Sequence, residues 1–168
     1  MHPLIEETAK KAAVAWLTVP GAGQAYPVWF LWADGALHVV GGAGEQATPG
    51  LAELIDAGGG QVDVTMRGDH GGRVVQAAAT VSALDPTGAD WATIAPQLAG
   101  KRLNATGGAE QVVARWATEC QIYRTTPAAD PTEAGPTPPD GDLVASPRPS
   151  DAARHPRMPK RLHRVRGA

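Results

Sequence analysis

Residues 26–40 read YPVWFLWADGALHVV, two apolar runs split by Asp34-Gly35. A two-residue connection of this kind needs positive φ at both positions, which Asp and Gly tolerate, and it folds the flanking runs into an antiparallel hairpin. That turn constrains the rest of the chain. It excludes a parallel crossover at this point, and it demands further strands to cover the hairpin's apolar surface.

Those strands can be read on either side. Residues 13–19 (AVAWLTV) are short, apolar and partly β-branched, and they stop at Pro20-Gly21, as a buried strand does. Residues 61–67 (QVDVTMR) alternate, with Val62, Val64 and Met66 on one face, and a Gly-rich turn at 68–72 leads into residues 73–84 (RVVQAAATVSAL), a second hairpin. Residues 121–126 (QIYRTT) return to a strand pattern before Pro127. Helical spacing runs through 89–103 and 109–120, carried by Trp91, Leu98, Val112, Val113 and Trp116. Residues 2–11 suit a short helix with Pro3 in its first turn and Lys10-Lys11 in its last. Another, LAELIDA, is expected to open at Thr48 as N-cap with Pro49 at the first helical position, and the Gly58-Gly59-Gly60 run ends it.

The expected order is helix, three strands, short helix, two long strands, two helices and a closing strand. With 43 % hydrophobic residues and five Trp in 168 residues, the front of the chain can bury one core. The lone Cys120 excludes an intramolecular disulfide and a cysteine-based zinc site, and a reducing cytoplasm fits. No stretch approaches the roughly 18 apolar residues of a membrane span, and Glu6 and Glu7 near the start do not suit a secretory signal.

Charge divides unevenly beneath the net −2. Residues 1–126 hold eight basic and twelve acidic side chains, and residues 127–168 hold seven and five. From Pro127 onward lie nine of the fifteen prolines and few large apolar residues, a composition that cannot build a core. The expected organisation is therefore an N-terminal helix at 1–12, a β domain at 13–126, a Pro-rich disordered linker at 127–147 and a basic disordered tail at 148–168. Cutting after Thr126 is expected to leave the melting temperature nearly unchanged. Arg154, Arg157, Lys160, Arg161, Arg164 and Arg166 would give weak, salt-sensitive contact with nucleic acid or an acidic surface, or form a solvated extension.

The succession AVAWLTV, QAYPVWFLWADGALHVV, a Gly-rich turn and short helix, QVDVTMRG and RVVQAAATVSAL resembles the flavin-binding split-barrel superfamily, the pyridoxamine 5′-phosphate oxidase-like proteins. The resemblance covers residues 13–126 and rests on order and spacing. It implies a mainly β (α+β) fold, a six-stranded split barrel with short peripheral helices. It also implies a homodimer binding FMN or a deazaflavin coenzyme in a groove between subunits, and an oxidoreductase in which the cofactor carries the chemistry. Members that bind the cofactor usually place a Lys or Arg after the third strand and into the short helix. Here that stretch, GGAGEQATPGLAELID, has no basic residue and carries Glu45 in its middle. The alternative is a non-catalytic dimeric split barrel, a binding or scaffold module without flavin affinity.

An anion could be met in other ways. The loop at 41–50, with Thr48 and Gly50 at the helix start, could offer unpaired N–H groups. Arg67 and Arg73 flank the next turn, and Lys101 and Arg102 end a helix. Each also has a plain structural reading: Thr48 only caps, Arg67 and Arg73 are solvated hairpin charges, and Lys101-Arg102 complements the helix dipole. Trp29 and Trp32 fall on opposite faces of their strand, so one can pack in the barrel while the other, Trp29, lines a groove. No acid or base can be named.

Other constellations are weak. Gly42-Ala43-Gly44-Glu45-Gln46-Ala47 matches G-x-G-x-x-A, but Pro49 delays the helix that a dinucleotide crossover requires. The histidines show no ligand spacing, so no metal site is expected. His38 is expected to point outward, and Cys120 to act as a small core residue.

Overall fold

The computed structural model describes residues 1–68, 72–103 and 107–135. Its elements are α1 (Pro3–Lys11), β1 (Val14–Thr18), β2 (Tyr26–Trp29), β3 (Leu31–Ala33), β4 (Ala36–Gly42), α2 (Leu51–Asp56), β5 (Gly60–Arg67), β6 (Arg73–Ala83), α3 (Ala89–Lys101), α4 (Ala109–Glu119), β7 (Cys120–Pro127) and β8 (Glu133–Ala134). The strands form an antiparallel sheet in the order β2-β1-β5-β6-β7-β4-β3. β2 and β3 are consecutive in the chain and separated only by Phe30, so the two ends of this order are one broken strand. Counted so, the sheet closes into the expected six-stranded split barrel.

The turn at Asp34-Gly35 has φ of 49° and 70°, positive at both positions as the hairpin requires. Alternate residues of every main strand face inward. Leu17, Val28, Val39, Val64, Ala77 and Tyr123 belong to a buried cluster that fills the barrel. α1 packs on β5 and β6 and adds Ile5 to this cluster. A second cluster lies on the outer face, where α3 and α4 bring Trp91, Ile94, Leu98 and Trp116 against Leu31, Val40 and Ile122. The helix pair thus covers the β3-β4-β7 side of the barrel, and the loop after β4 is caught between it and the β2–β3 break.

Two expectations are corrected. The short helix starts later than its Thr48 signal suggests: Gly50 is the N-cap, at φ 79°, with no side-chain cap. Thr48 instead lies over Gly41 with its hydroxyl near that of Tyr123, while its carbonyl accepts from Leu51. The sheet also does not end near Thr126. Ala128, Thr132 and Gly135 donate to Ala78, Gln76 and Val74, and β8 pairs Glu133 with Gln76 along β6. This edge of β6 is long enough to hold both β7 and β8. Of the expected linker and tail, residues 136–168 lie outside the described residues.

Candidate functional site

The break between β2 and β3 leaves the main chain of Trp29 in need of partners. Gln46 supplies both: its Oε1 accepts from the Trp29 N–H at 2.9 Å, and its Nε2 donates to the Trp29 carbonyl at 2.9 Å and to the Val40 carbonyl at 3.1 Å. Gln46 thus acts as a single rung of missing strand. It is delivered by a tight turn in which the Glu45 N–H donates to Gly42 O at 3.1 Å. Gly42 is required there, because its φ is 137° and a Cβ would lie 2.8 Å from the Cys120 backbone.

The next residue inward, Glu45, has a side chain only 1 % exposed. Its Oε2 accepts from Arg102 Nε at 2.7 Å, and its Oε1 accepts from Trp116 Nε1 at 2.9 Å and from Arg115. Burial pushes the Glu45 carboxyl up, but the donors from Arg102, Trp116 and Arg115 outweigh it and hold the group below the usual carboxylate range. The arginines also grip the loop itself, Arg102 at the Gly44 carbonyl (3.0 Å) and Arg115 at that of Ala43. Cys120 lies beside Arg115, Sγ 3.7 Å from its guanidinium; burial pushes the thiol up despite that cation, which disfavours a nucleophilic thiolate.

Against this loop opens a cleft of about 490 Å³. Trp29, Phe30 and Val14 form one wall, Gly44 to Gln46 the floor, and Lys101 to Leu103 the other wall. Val14 and Leu103 are 42 % and 85 % exposed, so the cleft has an apolar rim. Lys101 makes no ion pair among the described residues, whereas Arg102 is held by Glu45.

Of the residues singled out in the sequence, the structure brings Trp29, Lys101 and Arg102 together in this cleft. It separates the others. Arg67 lies over the Trp16 ring, 4.6 Å from its centroid, in a different groove between α1 and the β5–β6 hairpin. Arg73 pairs with Glu133 and donates to the Gly135 carbonyl at 3.2 Å, on the β8 edge. Thr48 and Gly50 shape the loop and α2 and do not line the cleft. Arg115 and Trp116 were missed because their partner Glu45 stands 70 and 71 positions away, and Gln46 because the break at Phe30 that it bridges leaves no mark in the sequence. Trp29 and Trp32 do divide between the outer and inner clusters.

His38 is corrected: it is fully buried, and neither ring nitrogen makes a hydrogen bond of good geometry. Among the described residues no group of three His, Cys, Asp or Glu could hold a metal ion, and no helix is long and apolar enough to cross a membrane.

No protein-family model matches the chain, and no curated protein matches it in sequence. Solved structures do. HutZ, the heme storage protein from Vibrio cholerae, is 16 % identical with a TM-score of 0.53, over 80 % of this chain and 94 % of that one. A candidate general stress protein 26 from Jannaschia sp. CCS1 is 16 % identical with a TM-score of 0.51, over 74 % and 72 %. A candidate pyridoxamine 5′-phosphate oxidase from Listeria innocua is 15 % identical with a TM-score of 0.50, over 73 % and 90 %. At such identities the likeness is one of fold, and the fold is the split barrel that the order of strands suggested.

Proposed function

We propose that this chain forms a homodimer that binds FMN or a deazaflavin coenzyme in the cleft between Trp29 and Lys101, and serves as an oxidoreductase for a small molecule. The observation that carries this reading is the juxtaposition, in one open cleft, of an aromatic wall and a lysine without an ion pair among the described residues. A volume of about 490 Å³ suits a small-molecule pocket, whose usual range is roughly 300 to 1,000 Å³.

The residues fit such a group in separate roles. Lys101 would hold the phosphate as a point charge. Trp29 would flank the ring, and Gln46 fixes the main chain of Trp29. A second copy of the chain laid over Val14 and Leu103 would cover the apolar rim and exclude water from the ring. When bound, the flavin or deazaflavin supplies hydride or electron-pair chemistry, and the protein's part is binding and orientation.

The test is titration of the purified protein with FMN and with the deazaflavin, followed by absorbance and quenching of ligand fluorescence. Binding of one at micromolar Kd, about −8 kcal/mol, is expected. Lys101→Ala should weaken it by about 1.5 to 3 kcal/mol, as for a hydrogen bond to a charged group. Failure of both ligands to bind would refute the reading.

A second reading, a dimeric binding or scaffold module without flavin affinity, is favoured by Glu45, which already engages both Arg102 and Arg115. It expects a dimer by light scattering and silence in both titrations.

A further inference from the structure

A glutamate on a glycine-rich surface loop would ordinarily keep its charge in water, since stripping an ion of solvent costs several kcal/mol. Glu45 is nonetheless almost fully covered, and both of its oxygens are engaged. Its three partners come from the end of α3 and from adjacent positions of α4, so two helices converge on one carboxylate. Two guanidiniums and an indole N–H have no acceptor capacity, and the set would bind any oxyanion of similar size regardless of what carries it.

The receptor does not depend on Glu45 alone for its shape. Arg102 and Arg115 are also anchored at the Gly44 and Ala43 carbonyls, and Trp116 is fixed in the outer core. A separate groove of about 390 Å³, lined by Ala43, Gly44, Arg102, Val112, Arg115 and Glu119, leads to both guanidiniums from the α4 side. Glu119 approaches Arg115 there at 4.0 Å but is 53 % exposed, so solvent screens its attraction.

We propose that Arg102, Arg115 and Trp116 form a receptor for a carboxylate or phosphate oxyanion, which the protein keeps closed with its own Glu45. Tethered a short loop away, Glu45 competes at high effective concentration, so a free anion in solution does not displace it. The same contact latches the loop after β4 to the helix pair. An acidic ligand reaching Arg102 from the Trp29 cleft must displace this carboxylate, which makes Glu45 an internal competitor at that wall. The receptor itself stands whether or not a flavin binds.

The test is thermal melting in chloride buffer at constant ionic strength, without flavin, with added acetate or inorganic phosphate. Wild type should show no response specific to either anion. Glu45→Ala should melt lower, and acetate or phosphate should raise it in a saturable way that follows occupancy of one site. The anion that acts at the lower concentration identifies the receptor as suited to planar carboxylate or tetrahedral phosphate. Glu45→Gln, whose amide still fills the space, should melt lower without rescue, and Arg115→Ala added to Glu45→Ala should abolish it. If Glu45→Ala does not fold in chloride, recovery of its near-ultraviolet circular dichroism with either anion supports the proposal. Absence of rescue in either measurement, or equal rescue in all variants, overturns it. A failed flavin titration leaves these outcomes unaffected.

Discussion

His38 gives the sharpest test of how the β4–α3 side of the barrel is built. Its ring is fully buried, opposite Leu31 on β3 and Arg124 on β7, and neither nitrogen makes a hydrogen bond of good geometry, the Leu31 carbonyl giving only a weak contact. A buried polar group left without a partner costs about 1 to 3 kcal/mol. His38→Leu removes that cost while roughly keeping volume, and imperfect repacking takes back up to about 1.5 kcal/mol. A net gain of about 1 kcal/mol at pH 8 is expected.

The pH dependence is more diagnostic. Burial, and then the nearby Arg124 cation, push the His38 pKa down, against weaker pulls from the Leu31 carbonyl, Asp34 and Asp90. The unfolded chain therefore takes up a proton near pH 6.5 that the folded chain resists. Stability is fully present above about 6.5 and falls as pH drops toward the folded value, by up to about 1.4 kcal/mol per pH unit. His38→Leu should lack this component, so its advantage over wild type should widen from pH 7.5 to pH 5 in urea denaturation. An advantage that stays constant, or a variant clearly less stable than wild type at pH 8, would refute the reasoning.

Three further outcomes are expected. Truncation after Thr126 should lower stability by about 1 to 3 kcal/mol in thermal or urea melts, because it removes the hydrogen bonds of Ala128, Thr132 and Gly135 and the ion pair of Glu133 with Arg73. Gly42→Ala should cost about 2 kcal/mol or more by the same measurement, since the methyl meets the Cys120 backbone and the φ of 137° is unsuited to an L side chain. Arg67→Ala should cost about 0.5 to 1 kcal/mol through loss of its contact with Trp16, with no change in ligand titrations, because it lies outside the Trp29 cleft.

Local chemistry made much of the barrel legible. Asp34-Gly35 dictated its hairpin, and alternation along QVDVTMR placed Val62, Val64 and Met66 inside. What escaped was long-range. YPVWFLW reads as one strand because periodicity carries no mark of the break at Phe30, which exists because β2 serves β1 while β3 serves β4. Thr48 looked like a cap because its neighbours fit one, but Gly41 leaves room for its side chain and its hydroxyl lies near that of Tyr123. β8 was hidden in a proline-rich stretch, since pairing to an existing edge needs little intrinsic strand propensity. Of the site, the aromatic wall and Lys101-Arg102 could be found as residue types. Glu45 could be noticed only as a misplaced charge, because its partners Arg102 and Arg115 lie 57 and 70 positions further on.

The Gln46 rung has a consequence for observation. It couples Trp29 to the same short turn whose Glu45 holds the indole of Trp116, so two of the five tryptophans report on one loop from opposite sides. Any event that lifts that loop must alter the surroundings of both indoles at once. The protein therefore carries its own optical gauge of loop position, and intrinsic emission can follow the movement without a label.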